Sequence, residues 1–288
     1  MGRFHVGTSG WRYPRWRGDF YPRGLPQRLE LTYAAERMTS IEVNGSFYSL
    51  QKPANWVRWR DAAPEGFVFA VKGPRFITHI KRLGDVDAPL ANFFASGLLA
   101  LGPKLGPVLW QLPPNLGFDP ELVDRFLGRL PRTTTDAAAL AAGHDERMSG
   151  RSWFDAAAIA ERPLRHAVEV RHPEFEDRQD EWADLLARHG VASVTADTAG
   201  RYPRIDRTTA DFAYARLHGE EELYASGYDD ASLDRWASWT RAHLDAGRDA
   251  FLYFDNDIKV RAPFDAMALI ARLPRPAGLP EQPQAPGR

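Results

Sequence analysis

The stretch "HAVEVRHPEF", His166–Phe175, decides how this chain is read. Its apolar and β-branched residues predict a buried strand, yet Glu169 and Arg171 stand two positions apart within it. Alternate residues of a strand share a face, so one face carries both charges while Val168 and Val170 point the other way. Charges inside a core are costly unless partnered. The strand therefore needs neighbours that bring polar groups to the same place.

Such neighbours recur along the chain. Strand-like runs lie near Phe4–Gly10, Ser40–Tyr48, Phe67–Gly73, Pro107–Leu112, His166–Arg171, Ala192–Asp197, Phe212–His218 and Ala250–Asp255. Between them, "LELTYAAERM", "ANWVRWRDAA", "APLANFFASGLLAL", "PELVDRFLGRL", "RQDEWADLLARHG", "ASLDRWASWTRAHLDAG" and "APFDAMALIARL" space apolar residues at helical intervals. Pro120 and Pro263 suit first helical turns, and Gly190 and Gly247 suit helix ends. This alternation predicts an α/β protein, a single (β/α)8 TIM-like barrel, and 288 residues suit one such barrel.

Two segments fall outside the pattern. Pro131–Pro163 is longer than a simple crossover needs, and reads as an insertion before the fifth strand with a short helix around Asp136–Ala142. After Leu273 the proline-rich "PRPAGLPEQPQAPGR" lacks apolar periodicity. The expected organisation is a barrel domain over 1–274 and a disordered tail over 275–288.

Composition narrows the function classes. With 44% hydrophobic and 26% charged residues the chain can bury a large core, and 37 basic against 38 acidic residues leave no global charge for a polyanion. Cysteine is absent, which excludes disulfides, thiol catalysis and thiolate metal sites and fits a reducing compartment. The start shows no apolar signal segment, and no run of about 18 apolar residues predicts a membrane span. The cytoplasm is the expected location.

At the C-terminal ends of the strands, Glu42, Asn44, Lys72, Gln111, Glu169, Arg171, Asp197, Arg216, His218 and Asp255 recur with matching parity. Barrels of this class carry their sites at that rim, so these residues are expected to meet in one cavity. Lys72, Arg171 and Arg216 suit a carboxylate or phosphate. Glu42, Glu169, Asp197 and Asp255 are general acid or base candidates, and His218 suits proton transfer near neutral pH. The bland alternative is an ion-pair lattice that closes the barrel mouth. A divalent metal is the less favoured cofactor, since several cations share the ring and no His-x-x-x-His pairing occurs; no metal ligands are assigned.

The first loop, "GTSGWRYPRWRGDFYPRG", interleaves five aromatic residues with arginines. Bases could stack there while cations meet phosphates. Packing is the better reading for Trp16, Phe20 and Tyr21, whereas Trp11, next to the strand, is expected to face a ligand. Tyr48 and His79 are placed at the same rim.

Six motifs in register, "GTSGWRYPRWRGDFYP", "IEVNGSFYSL", "FVFAVKGPRFITHIKRL", "VLWQLPP", "VEVRHPEF" and "YARLHG", resemble the domain-of-unknown-function family 72, sometimes described as sugar-isomerase-related barrel proteins. The resemblance implies a single (β/α)8-like barrel and supplies no established activity or cofactor. It places Trp11, Glu42, Asn44, Tyr48, Lys72, His79, Gln111, Glu169, Arg171, His172 and His218 on family positions. One departure stands out: the chain reads "YFDND" where relatives resemble "FNN", so Asp255 replaces an amide.

The expected function is acid–base chemistry on a small anionic or sugar-like substrate, with Lys72, Glu169, Arg171, His218, Asp197 and Glu42 as catalytic residues. Trp11, Asn44, Tyr48, His79, Gln111, His172, Arg216 and Asp255 are expected to bind the substrate. Isomerisation and hydrolysis both fit. Nucleic-acid binding or processing through the first loop, and a non-catalytic metabolite-binding barrel, are the competing readings.

Overall fold

A computed structural model describes residues 2–155 and 159–274. Eight parallel strands close into a barrel in sequence order: β1 (Phe4–Ser9), β2 (Ser40–Val43), β3 (Val68–Lys72), β4 (Leu105–Gln111), β5 (His166–Glu169), β6 (Ala192–Asp197), β7 (Phe212–Leu217) and β8 (Asp249–Phe254). Pairing of β8 with β1, from Phe4 opposite Ala250 to Thr8 opposite Phe254, completes the ring and leaves no edge. The barrel expected from sequence is the barrel found.

Among the described residues ten α-helices accompany the strands: α1 (Glu30–Ala35), α2 (Gly45–Tyr48), α3 (Pro53–Ala62), α4 (Asp87–Ala95), α5 (Pro120–Gly128), α6 (Thr134–Ala141), α7 (Glu174–Asp177), α8 (Gln179–Arg188), α9 (Asp230–Asp245) and α10 (Ala262–Ile270). Their starts are encoded locally. The Asp119 side chain accepts the Leu122 amide at α5, Thr133 and Asp136 form a capping box at α6, and Asp229 accepts the Ser232 amide at α9. The β6–β7 connection, 198–211, contains no helix.

The interior is packed with complementary sizes. Phe212, Tyr214, Phe251 and Tyr253 from β7 and β8 reach across to Ala70, Ala167 and Ala192 on β3, β5 and β6, so wide rings on one side fill the space left by small residues on the other. On β1, Gly7 lets the backbones close up, since a Cβ there would lie 1.8 Å from the Ser40 carbonyl oxygen. The larger core lies outside the sheet, between strands and helices. Rings of opposed size and a filled interior leave the polar groups only the C-terminal mouth.

Two stretches differ from the sequence reading. The second strand, expected to reach Tyr48, ends at Val43. Ser46 there donates to the carbonyl oxygens of Val43 (3.0 Å) and Lys72 (2.7 Å), holding residues 45–48 in the one-turn helix α2. The helix expected through Ala88–Leu101 stops at Ala95 because Gly97 takes φ +100°, and a Cβ there would lie 2.8 Å from Pro53 Cα.

The insertion is tied at both ends. Thr133 bridges Pro163, and the Leu164 amide donates to the Arg132 carbonyl at 2.8 Å. Its helix, expected around Asp136–Ala142, is α6, which packs on α4. The expected disordered tail, 275–288, lies outside the described residues.

Candidate functional site at the barrel mouth

Strand alternation carries the interior rings up to a polar layer. Above Tyr214 stands Arg216, above Tyr253 stands Asp255, above Ala70 stands Lys72, and above Ala167 stands Glu169. Arg216 is fully buried and sits at the centre. Its Nε and Nη2 donate to Glu42 Oε2 (3.1 Å) and Oε1 (2.9 Å), and Nη1 donates to Glu169 Oε2 at 2.6 Å. Nη2 also reaches Asp255 Oδ2 (3.1 Å) and Ser9 Oγ (3.0 Å), while Nη1 lies 3.3 Å from His218 Nε2. Five N–H groups meet five protein partners, so Arg216 is a buried hub with nothing left for a ligand.

Glu42 is closed in the same way. Besides Arg216 it accepts from Ser9 Oγ at 2.5 Å and from the Tyr214 hydroxyl at 2.6 Å, which uses the usual capacity of a carboxylate. It orients Arg216 rather than facing the opening. Glu169 is buried too, bound by Arg216 and by Arg171 Nε at 2.8 Å. Burial alone would raise its carboxyl, but Arg171, Arg216, His218 and Lys72 outweigh that and hold it well below the usual range. Fully buried, with one oxygen held by Arg171 and the other by Arg216, it has no approach to a ligand, and its place is that of a fixed counter-charge.

Above this layer lie groups that reach the opening. The Asp255 side chain is 17% exposed and Arg171's 11%, and the Arg171 guanidinium lies 4.7 Å over the Tyr202 ring. Burial pushes the Asp255 carboxyl up, yet Arg216, His218 and Lys72 prevail and keep it ionised. His218 Nδ1 lies 3.1 Å from Asp255 Oδ2, and the His218 ring is edge-on to Tyr224 at 5.3 Å. Lys72 donates to Gln111 Oε1 at 2.7 Å and sits 4.2 Å over the Phe47 ring. Burial first, then Arg216, push its amine down to about 8 against the pull of Glu42, Glu169 and Asp255.

The loop after β3 forms the wall beside Lys72. Residues Phe76–Ile80 form a π-helical turn, and Arg82, Leu83 and Asp85 follow at positive φ, conformations that cost energy and cluster at functional sites. His79 is half-buried and edge-on to Phe47 at 5.1 Å, with Nδ1 2.8 Å from Thr78 Oγ1. Burial, then Lys72, push its imidazole down to about 4, so it is neutral near pH 7. Across the same wall a groove of about 500 Å³ opens between this loop, α2, α4 and the insertion, lined by Phe47, Tyr48, Phe76, Arg147 and Met148 among others.

The expected ring is thus met by Glu42, Lys72, Gln111, Glu169, Arg171, Arg216, His218 and Asp255, with His79 and the half-buried Asn44 beside it. The Asn44 Oδ1 atom is buried and unpartnered among the described residues. Four residues stand elsewhere. Asp197 is on the outer face of β6, because Ala192 and Val194 take the inner one; it bonds Tyr228 and Trp236, and burial raises its carboxyl. Trp11 is buried edge-on against Trp59, 5.2 Å away, so its ring is core and not a ligand wall. Tyr48 is 72% exposed and lines the groove, because the strand expected to carry it inward turns into α2. His172 lies past the end of β5, where Nδ1 is 3.7 Å from Glu174 Oε2.

The sequence reading passed over Ser9, Tyr214, Tyr202 and Asp257. Ser9 and Tyr214 share the inward parity of Glu42 and Arg216 and were discoverable from it. Asp257 follows Asp255 by two residues; burial, then Asp255, push its carboxyl up to about 6. Tyr202 comes from the irregular β6–β7 connection, which has no period to read. In the first loop, Trp16, Phe20 and Tyr21 are buried against one another, so they offer no free faces for bases. Among the described residues, no group of three His, Asp or Glu side chains is placed to hold a metal ion.

Comparison with known proteins agrees with the barrel. The "UPF0759 protein YecE" of Escherichia coli K12 is 26% identical over 201 residues, 67% of this chain and 59% of that protein. The "UPF0759 protein YunF" of Bacillus subtilis is 29% identical over 119 residues, 38% of this chain and 40% of that one. The chain therefore spans less than two thirds of the length of these curated relatives. A crystal structure of a DUF72-family protein from Thermotoga maritima superposes with a TM-score of 0.71 at 24% identity, covering 93% of this chain and 97% of the other. One from Enterococcus faecalis gives 0.70 at 14% identity, over 98% and 100%. Residues 5–287 match the family described as "Protein of unknown function DUF72", and the chain belongs to it.

Proposed function

We propose that the barrel mouth is an active site for acid–base chemistry on a small anionic, sugar-like molecule. The observation that carries this reading is the division of the polar ring into two layers. Glu42, Arg216 and Glu169 bind one another and need no ligand, whereas Lys72, Arg171 and Asp255 keep bonding capacity toward the opening. A lattice serving only to plug the barrel would be satisfied by the lower layer alone.

In this reading Arg171, braced by Glu169 and stacked on Tyr202, receives the anionic group. Asp255, held ionised by Arg216 and beside His218, is the carboxylate that accepts a proton. Lys72 is the second proton carrier, and the role expected for Glu169 passes to these two. Among the described residues no helix is long and apolar enough to cross a membrane. A cytoplasmic location is part of the proposal, in keeping with a chain that has no cysteine.

A thermal-shift and calorimetric screen of sugar acids and sugar phosphates tests the reading. Binding by the wild type that falls at least tenfold in Arg171→Ala, without loss of fold, is the expected result. Equal binding by Arg171→Ala, or no binding of any such anion, would refute it.

A further inference from the structure

Lys72 is held differently from every other lysine of the chain. Of the 37 lysines and arginines only five are lysine: Lys52, Lys72, Lys81, Lys104 and Lys259. Lys52 and Lys81 are exposed, Lys259 pairs with Glu222 at 2.8 Å, and Lys104 donates to the carbonyl oxygens of Arg60 and Ala63 at 2.6 Å. Lys72 alone stands inside the barrel, 7% exposed, with a neutral amide oxygen as its hydrogen-bond acceptor. Among the described residues no carboxylate oxygen comes within 4.0 Å of its nitrogen.

The other cations of the mouth are arginines, which cannot give up a proton in a protein. A mouth that needed only positive charge beside Phe47 could carry a third arginine there. An amine desolvated against an aromatic face, near a buried guanidinium and without its own counter-ion, is the arrangement that frees a lone pair for attack on carbon. The ionisable groups around it are Arg216, Glu42, Glu169 and Asp255 from the ring, with His79 across the Phe47 wall.

We propose that Lys72 is a nucleophile that forms a Schiff base with a ketone or aldehyde substrate at the barrel mouth. The inference rests on the catalytic reading of the mouth and names the substrate class: carbonyl compounds that also carry an anionic group for Arg171. The Lys72 lone pair adds to the carbonyl carbon while the C=O π pair moves to oxygen; oxygen gains a proton and nitrogen loses one, giving a carbinolamine. The nitrogen lone pair then expels that oxygen, with a second proton, as water. A positively charged C=N remains, which the ionised Asp255 faces and from whose adjacent carbon it can remove a proton. His79, a neutral imidazole with Nδ1 engaged by Thr78, is placed at this wall to carry protons.

The free-amine population supports the step. With its ammonium pushed down to about 8, roughly a tenth of Lys72 is neutral at pH 7, against roughly one part in 2,500 for an ordinary lysine.

The test is reductive trapping. The full chain is incubated separately with pyruvate, glyoxylate and dihydroxyacetone phosphate in the presence of sodium cyanoborohydride, then digested and mapped by mass spectrometry. The expected result is an adduct on Lys72 at least tenfold above that on Lys52, Lys81, Lys104 or Lys259, rising as pH passes through about 8. Gln111→Glu should lower it at least tenfold at pH 7 by giving the ammonium a counter-ion. Equal labelling of all five lysines, no Lys72 adduct with any of the three compounds, or a Gln111→Glu adduct equal to the wild type would overturn the proposal. Trapping is read without turnover: loss of anion binding in Arg171→Ala with an unlabelled Lys72 leaves acid–base chemistry standing without the covalent step.

Discussion

Arg216 Nη1 and Glu169 Oε2 lie 2.6 Å apart with both side chains fully buried, and the same guanidinium holds Glu42 and Asp255. Removing one partner of a buried pair leaves the others uncompensated and typically costs about 3–5 kcal/mol. Arg216→Met should therefore destabilise the barrel by about that much in urea unfolding near pH 7. A loss under about 1 kcal/mol would show that the carboxylates find other partners.

The same network sets the response to acid. Glu169 and Asp255 have folded-state proton affinities lowered by their cationic neighbours, so the stability they contribute is fully present above the unfolded carboxyl range, near pH 5, and is lost as pH falls below about 4. Protonated carboxyls no longer need Arg216. The penalty of Arg216→Met should thus hold from pH 7 to pH 5 and shrink as pH falls below about 4, and a penalty that stays constant down to pH 3 would contradict the linkage.

Lys72 has the opposite dependence. Its folded-state value, about 8, lies below that of the unfolded chain, so between about 8 and 10.5 the unfolded state binds more protons and stability rises with pH. Below pH 8 the buried ammonium costs stability, by about 1–3 kcal/mol. Lys72→Met should be more stable than wild type at pH 7 by part of that, with the gap closing toward pH 10. A gap that widens with pH would reverse the sign and the argument.

Asp197 provides a control outside the mouth. It bonds Tyr228 and Trp236 behind β6, so Asp197→Asn should leave binding of small anions within about twofold of wild type while Arg171→Ala abolishes it. Equal losses in the two variants would return Asp197 to the site.

Gly97 tests a packing detail of the fold. Its φ of +100° and the 2.8 Å separation of an added Cβ from Pro53 predict that Gly97→Ala destabilises by more than about 1 kcal/mol. Unchanged urea stability would show that the 95–98 turn relaxes at no cost.

The barrel was legible because eight strand-like runs keep their alternation and their helices carry local start signals, as at Thr133 and Asp229. Parity also found most of the mouth, Lys72, Gln111, Glu169, Arg216, His218 and Asp255 among them. It failed at Asp197, where β6 alternates Ala192 and Val194 with Ser193, Thr195 and Asp197, and the polar set faces helices and loops instead of the interior. Roles were harder to read than places. That Glu42 and Arg216 saturate each other, and that Lys72 lacks a carboxylate, are consequences of three-dimensional pairing between strands distant in sequence. Tyr202 and Asp257 come from connections without a period, and only the closed barrel brings them to the mouth.

The most direct measurement is the titration of Lys72 itself, by NMR of protein carrying ¹³C at lysine Cε. The chain has five lysines, so five signals are expected, and the one missing from Lys72→Met is assigned to Lys72. The account predicts a Lys72 midpoint near pH 8. A Lys72 midpoint at or above 10.5 would mean a paired, permanently charged ammonium, and would contradict the chemistry assigned to the mouth.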